Sequence, residues 1–365
     1  MKIHLISAFT GILAGLCMCV TADAKGLLRN GGTSASPPLC IHNRNKSPEG
    51  KTFTNPVITD GSRPDPTIWF YDGTFYMLST SNSNTIEASK DMVSWAPLSP
   101  VMDAQACSAV RSYGNDLWAP DVVQVNGHWN YYITVRNSAE DSGICVLQSD
   151  SPTGPFKFIG RLTDSKLTGI IDSIDPEVVT DPSDGSVWLF FGSIGKMHRV
   201  RLNADGTALA PGAAYEHVAG LTPAECTRRD KVFEGCYLHR HGRYWYLFAS
   251  TGEYYDETYK VVVGRSKTLG GTFVDKQGRK MADGFASEVI AGTREEGFYG
   301  PGHNGEIFTD SSGQDYIFYH CHYDKLSPAR PGRRYLMLQR LFWDKKGWPY
   351  VLDGKPAATD IAPAL

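Results

Sequence analysis

One local pattern recurs five times along this chain. "FYDGTFYMLST" (70–80), "VNGHWNYYITV" (125–135), "PSDGSVWLFFGS" (182–193), "RHGRYWYLFAS" (240–250) and "SSGQDYIFYHC" (311–321) each run from a polar turn holding glycine into an aromatic-rich strand. The turn glycines Gly73, Gly127, Gly185, Gly242 and Gly313 are 54, 58, 57 and 71 residues apart. Several copies continue into a further strand and a second polar turn, as in "TIEASKDMVSW", "ICVLQSDSPTGPF", "YKVVVGRSKTLGGTF" and "LMLQRLFWDKKGW". Repeats of about 40–50 residues made of four strands mark the blades of a propeller. The chain is therefore predicted to be all-β, a five-bladed β-propeller with insertions, and no amphipathic helix is expected between the blades. An irregular β-sandwich is the alternative, and the near-regular recurrence weighs against it.

The ends of the chain read differently. "MKIHLISAFTGILAGLCMCVTADA" has one lysine, an apolar run and a small-x-small cleavage site. Residues 1–24 are thus expected to be a secretory signal peptide and not a membrane anchor, which places the mature protein in the periplasm or outside the cell. Residues 25–50 are polar and rich in Gly, Pro and Ser, the composition of a flexible linker, and residues 51–365 form the propeller. Lys plus Arg number 36 against 39 Asp plus Glu, so no basic surface points to nucleic acid. The cysteines beyond residue 24 are scattered without zinc-ligand spacing; Cys226 and Cys236 could pair or lie buried and free.

In a propeller the first strand of each blade lines the central channel, so equivalent positions of all blades meet around one axis. Reading back from each turn glycine to the start of that strand gives Asp65 ("RPDPTI"), Trp118 and Asp121 ("LWAPDVV"), Asp175 ("SIDPEVV"), Glu234 ("FEGCYL") and His303 ("GPGHNGEIF"). Asp121 is read as structural, and Asp172 and Glu177 as facing loops or solvent. Trp118 is either ordinary core or a pocket wall, since sugar rings stack on indole faces. His303, in a cramped glycine-rich loop, can hold a metal or a substrate hydroxyl. Carboxyl groups gathered at one mouth suit glycoside hydrolysis, in which one protonates the leaving oxygen and another activates water.

At these residues the sequence resembles glycoside hydrolase family 43, from about Pro64 to Val351, through "PDPTI", "WAPDV", "IDPEVV", "KVVVGRS", "GPGHNG" and "GWPYV". The resemblance implies that Asp65 is the general base, Glu234 the general acid and Asp175 the residue that orients the acid and tunes its pKa, with inversion at the anomeric carbon. It further implies a calcium or similar ion on His303 and a substrate contact from Arg334; Trp118 and His303 are candidate substrate contacts by their own chemistry. "TYKVVVGRSKTLGGTF" and "GPGHNGEIFTD" look like the arabinan endo-1,5-α-L-arabinosidases. Pro64 stands where those enzymes usually carry His, and "FEGCYL" departs from their more usual EGP or EAP. "GRRYLMLQRLFWDKKGWPYV" is similar also to the β-xylosidases and exo-arabinofuranosidases. The expected function is hydrolysis of α-L-arabinofuranosyl linkages in plant arabinan, endo- or exo-acting. A β-xylosidase or mixed xylosidase-arabinofuranosidase is the alternative, and a glycan-binding propeller without catalysis a third.

Overall fold

Each of the five turn glycines has a positive φ, from 59° to 85°, and open space where a Cβ would stand. That backbone favours glycine and closes the hairpin between the first two strands of each repeat. The structure, a computed structural model, describes residues 50–226, 229–326, 328 and 332–365 and the backbone of residues 29–30. The expected signal peptide, and the linker apart from those two residues and residue 50, lie outside the described residues. The backbone of Arg29–Asn30 pairs antiparallel with Phe308 and Thr309.

Four strands hydrogen-bond in chain order in each of the first four sheets. Blade I contains Thr67–Tyr71, Thr74–Leu78, Thr85–Ser89 and Trp95–Pro100. Blade II contains Asp116–Val125, His128–Ser138, Asp141–Ser149 and Lys157–Asp164. Blade III contains Glu177–Thr180, Val187–Phe191, Met197–Leu202 and Glu216–Ala219. Blade IV contains Phe233–His241, Tyr244–Thr251, Lys260–Ser266 and Ser287–Ile290. In blade V the inner strand is split into Tyr299–Gly302 and Ile307–Thr309, followed by Asp315–His322, Arg334–Trp343 and Pro349–Tyr350.

The hydrophobic core is five cores, one per pair of neighbouring blades. Trp69 and Ile86 of blade I pack with Tyr131 and Ile133 of blade II. Tyr132 and Ile144 meet Leu189 and Val200 of blade III. Trp188 and Phe190 meet Leu247 and Val262 of blade IV. Tyr246 and Phe248 meet Ile317 and Met337 of blade V. Phe308 and Leu336 of blade V return to Ile68 and Phe75 of blade I. A β-sandwich would share one core between two sheets; here each sheet buries both faces and the circle closes. The seam lies at blade V, where Thr52–Thr54 pairs with Thr359–Ile361. There Asn55 bonds the chain on both sides, its amide donating to Leu338 O and Ala357 O and its carbonyl accepting from Leu338 N.

The expectation of no helix is corrected by Ala104–Arg111, eight residues between blades I and II. Asp103 caps it by accepting from Ala106 N, and it buries only Ala106 and Val110. Two apolar contacts in two turns leave too little periodicity to stand out in the sequence.

Candidate active site

All inner strands begin at the same face of the ring and run to the glycine hairpins at the other. At four of the blades the backbone beside the start of the inner strand, or at its break in blade V, is unusual. Asp65 (φ 53°), Asp175 (φ 60°) and His303 (φ 40°) are left-handed, as is Gly235 (φ 60°) directly after Glu234. Pro66 and Pro176 disfavour the right-handed helical region for the residue ahead of them. A register shift between Glu234 and Tyr237 re-aims the start of the blade IV strand. Such strained positions persist only where their surroundings hold them, and they cluster at functional sites.

These side chains meet. His303 Nδ1 lies 3.1 Å from Asp65 Oδ1 and 3.9 Å from Asp175 Oδ2. Asp175 Oδ2 accepts from Gly235 N at 3.1 Å, which joins it to the Glu234 backbone. Asp65 Oδ1 also accepts from Arg334 Nη1 at 3.0 Å, and Oδ2 from Thr80 Oγ1 at 2.6 Å. Glu234 is gripped by two hydroxyls, Tyr259 to Oε1 at 2.8 Å and Ser193 to Oε2 at 2.7 Å.

The three carboxyls have different environments. Burial alone would raise Asp65, yet Arg334 and His303 outweigh it and hold the group well below the usual carboxylate range. Burial, with Glu234 and Asp65 adding to it against the pull of His303, lifts Asp175 to about 7. Burial would lower His303, but Asp65 and Asp175 raise it to about 9.

A second ring supports the first. At the site end of each second strand stands a hydroxyl or imidazole that bonds the start of the next blade. Thr80 Oγ1 accepts from Ala119 N at 2.8 Å, and Thr134 Oγ1 from Asp175 N at 3.0 Å. Ser193 donates to Glu234, Ser250 Oγ accepts from His303 N at 2.7 Å, and His320 Nδ1 from Asp65 N at 3.2 Å. Burial keeps the His320 pKa well below its usual value, so the ring is neutral and can accept. Sequence reasoning missed these five residues, yet each falls seven or eight positions after its turn glycine.

Comparison with known proteins identifies the family. Residues 53–349 match the family described as Glycosyl hydrolases family 43. The chain belongs to that family. It is therefore a glycoside hydrolase. It is 32% identical over 305 residues to an extracellular exo-α-(1→5)-L-arabinofuranosidase of Cellvibrio japonicus, covering 79% of this chain and 85% of that one. A probable arabinan endo-1,5-α-L-arabinosidase A of Emericella nidulans is 30% identical, covering 77% and 87%. The structure of Cellvibrio cellulosa α-L-arabinanase complexed with arabinohexaose superposes with a TM-score of 0.67 at 30% identity, covering 80% of this chain and 95% of that one.

Deeper in the channel of this family 43 protein, a third ring closes the inner strands. Thr67 Oγ1 accepts from Val122 N at 3.3 Å, Asp121 from Val178 N at 2.8 Å, and Glu177 from Leu238 N at 3.0 Å. Tyr237 OH accepts from Ile307 N at 3.0 Å, and Glu306 accepts from Ile68 N. Asp121 thus has the structural place expected of it. Glu177 does not face loops or solvent: it accepts from Leu238 N of the next blade and lines a channel cavity with Asp121 and Glu306. Asp172 is also buried, accepting from Arg136 Nε at 3.0 Å. Asp121, Glu177, Tyr237 and Glu306 line a cavity of about 140 Å³. Burial raises Asp121 to about 7, Glu306 to about 8, and Glu177 well above its usual value.

Of the remaining expected site residues, Arg334 sits against Asp65 and 5.2 Å over the Tyr254 ring. Trp118 is half-buried, paired in register with Thr134, with Arg136 4.7 Å over its indole. Cys226 and Cys236 are free thiols, as are Cys107, Cys145 and Cys321. His303 also suits the implied cation: with Nδ1 donated to Asp65, the neutral ring keeps its lone pair on Nε2. A place that raises an imidazole to about 9 favours positive charge, so a hydrated ion can stand in for that proton.

Proposed function

We propose that this enzyme hydrolyses α-1,5-linked L-arabinofuranosyl bonds of plant arabinan with inversion. The observation that carries the reading is the contrast between Asp65, kept ionised by Arg334 and His303, and Glu234, cradled by two neutral hydroxyls. Carboxyls whose surroundings differ in this way divide into base and acid. Asp65, fixed at both oxygens, would draw the proton from water. Glu234 would protonate the departing sugar oxygen; Ser193 and Tyr259 can rotate to serve either of its protonation states. Asp175, bound to Gly235 N, would hold the acid's backbone and place a group that titrates at about 7 beside it. Arg334, His303 and Trp118 would contact substrate. A calcium-type ion on His303 Nε2 would add positive charge to the mouth and keep the neighbouring carboxylates in place.

The similarity to arabinan-acting relatives supports this substrate class, and the relative named extracellular supports export. Among the described residues, no helix is long and apolar enough to cross a membrane.

The test is linear α-1,5-arabinan followed by NMR. The first-formed sugar should carry the inverted, β anomer, and product lengths will separate endo from exo cutting. A retained anomer would remove Asp65 from the base role. Faster release of nitrophenol from the β-xyloside than from the α-arabinofuranoside would replace arabinan by xylan-derived substrates.

A further inference from the structure

The inner strand of blade IV ends in His239-Arg240-His241, at the face opposite the catalytic mouth. Alternate residues of a strand share a face, so both imidazoles point the same way, toward blade V. There they meet Asp315, the first residue of the strand Asp315–His322. One ligand atom from each of His239, His241 and Asp315 lies within 4.8 Å of the others. We propose that these three residues form a binding site for a divalent ion of the zinc class, bridging blades IV and V.

Two imidazoles and one carboxylate are the donors that zinc-like ions take, with a fourth position left for water. Tetrahedral bonds of about 2.0–2.1 Å set ligand atoms about 3.4 Å apart, so small side-chain turns complete the site. His241 is half-buried, while His239 is only 5% exposed. The Nδ1 of His239 is buried without a hydrogen-bond partner. An imidazole nitrogen in that position is costly unless something binds it.

The supporting shell is already built. Asp315 is fixed by Thr309 Oγ1 at 2.5 Å and Trp343 Nε1 at 2.6 Å, as carboxylate ligands usually are by their neighbours. The Trp343 indole stacks on His241 at 3.8 Å and lies nearly parallel to His239 at 5.7 Å. A dication would also supply the countercharge that the buried Asp315 carboxylate needs. The competing reading is an aromatic stack with an imidazole–carboxylate pair and no ion.

The experiment strips the full-length protein with EDTA and titrates zinc by calorimetry, with cobalt absorption as a second report of the ligand set. Wild type should take up one zinc more than Asp315→Asn and one more than His241→Phe, which keeps the ring stack. Its Tm should rise by about 4 °C at a hundredfold excess over Kd, and neither variant's should. His241 stands seven positions along the strand from Glu234, roughly 20 Å, so arabinan hydrolysis by the variants should match wild type. No zinc uptake by wild type, or equal uptake by wild type and whichever variants fold, overturns the site.

Discussion

Gly235 offers a quantitative probe of the candidate catalytic mouth. A Cβ added there would stand 2.8 Å from His303 Cγ and 3.1 Å from its Nδ1. That is about 0.7 Å inside the inner edge of favourable carbon contact. Cγ lies close to the backbone, so the ring cannot swing clear and the whole His303 loop must shift. Alanine at φ 60° costs about 1–2 kcal/mol, and the overlap about 1–3 kcal/mol more. For a domain of this size the sum lowers Tm by about 3–8 °C. Gly242→Ala is the matched control: its φ is 59°, but nothing lies within 4 Å of the added carbon. It should lose only about 2–3 °C and no activity. Displacing His303 by most of an ångström disturbs its contacts with Asp65 and Asp175, so Gly235→Ala should lose about ten- to a hundredfold in kcat. Calorimetry and initial rates on linear arabinan measure both. Activity of Gly235→Ala within twofold of wild type would refute the tight His303 placement, as would equal losses in the two variants.

Ser193→Ala and Tyr259→Phe each remove one hydrogen bond from Glu234 and should each lower kcat about tenfold, with losses in the double variant that do not add; rates on arabinan decide, and an unchanged rate excludes the cradle. Glu306 is raised by burial to about 8, so the folded state keeps a proton that the unfolded chain has released above its ordinary value. Its contribution to stability is full at low pH and lost as pH rises toward about 8; Glu306→Gln should therefore lose less Tm between pH 5 and pH 8 than wild type, and equal slopes would contradict this. EDTA should lower arabinan hydrolysis and calcium should restore it, an effect absent in His303→Gln; indifference to chelation would remove the ion from the site.

Much of the fold could be read from five glycines and the aromatic runs behind them, because a hairpin tip with positive φ leaves a local signature. The clustering of the candidate residues was legible too: Asp65, Asp175, Glu234 and His303 were singled out from equivalent blade positions, and the fold gathers them at one end of the channel. What escaped notice works through partners distant in sequence. Ser193 looks like an ordinary strand-end serine until Glu234, 41 residues on, is placed beside it. Glu177 reads as a surface acid because three other blades are needed to bury it. Glu306 stood inside a motif already singled out, yet its partner Ile68 is 238 residues away. Periodicity reveals which positions are equivalent, and only closure of the ring reveals what each one touches.

The clasps from each second strand have a mechanical consequence. Each inner-strand start at the mouth is moored to a different blade from the one that carries it, like stones in an arch that press on their neighbours. A small slippage of one blade about the axis would leave its own ladder of strands intact and still drag an acid out of line. Mild denaturant should therefore silence the enzyme while its β-sheet signal remains whole, with catalysis serving as the more sensitive gauge of whether the circle is under tension.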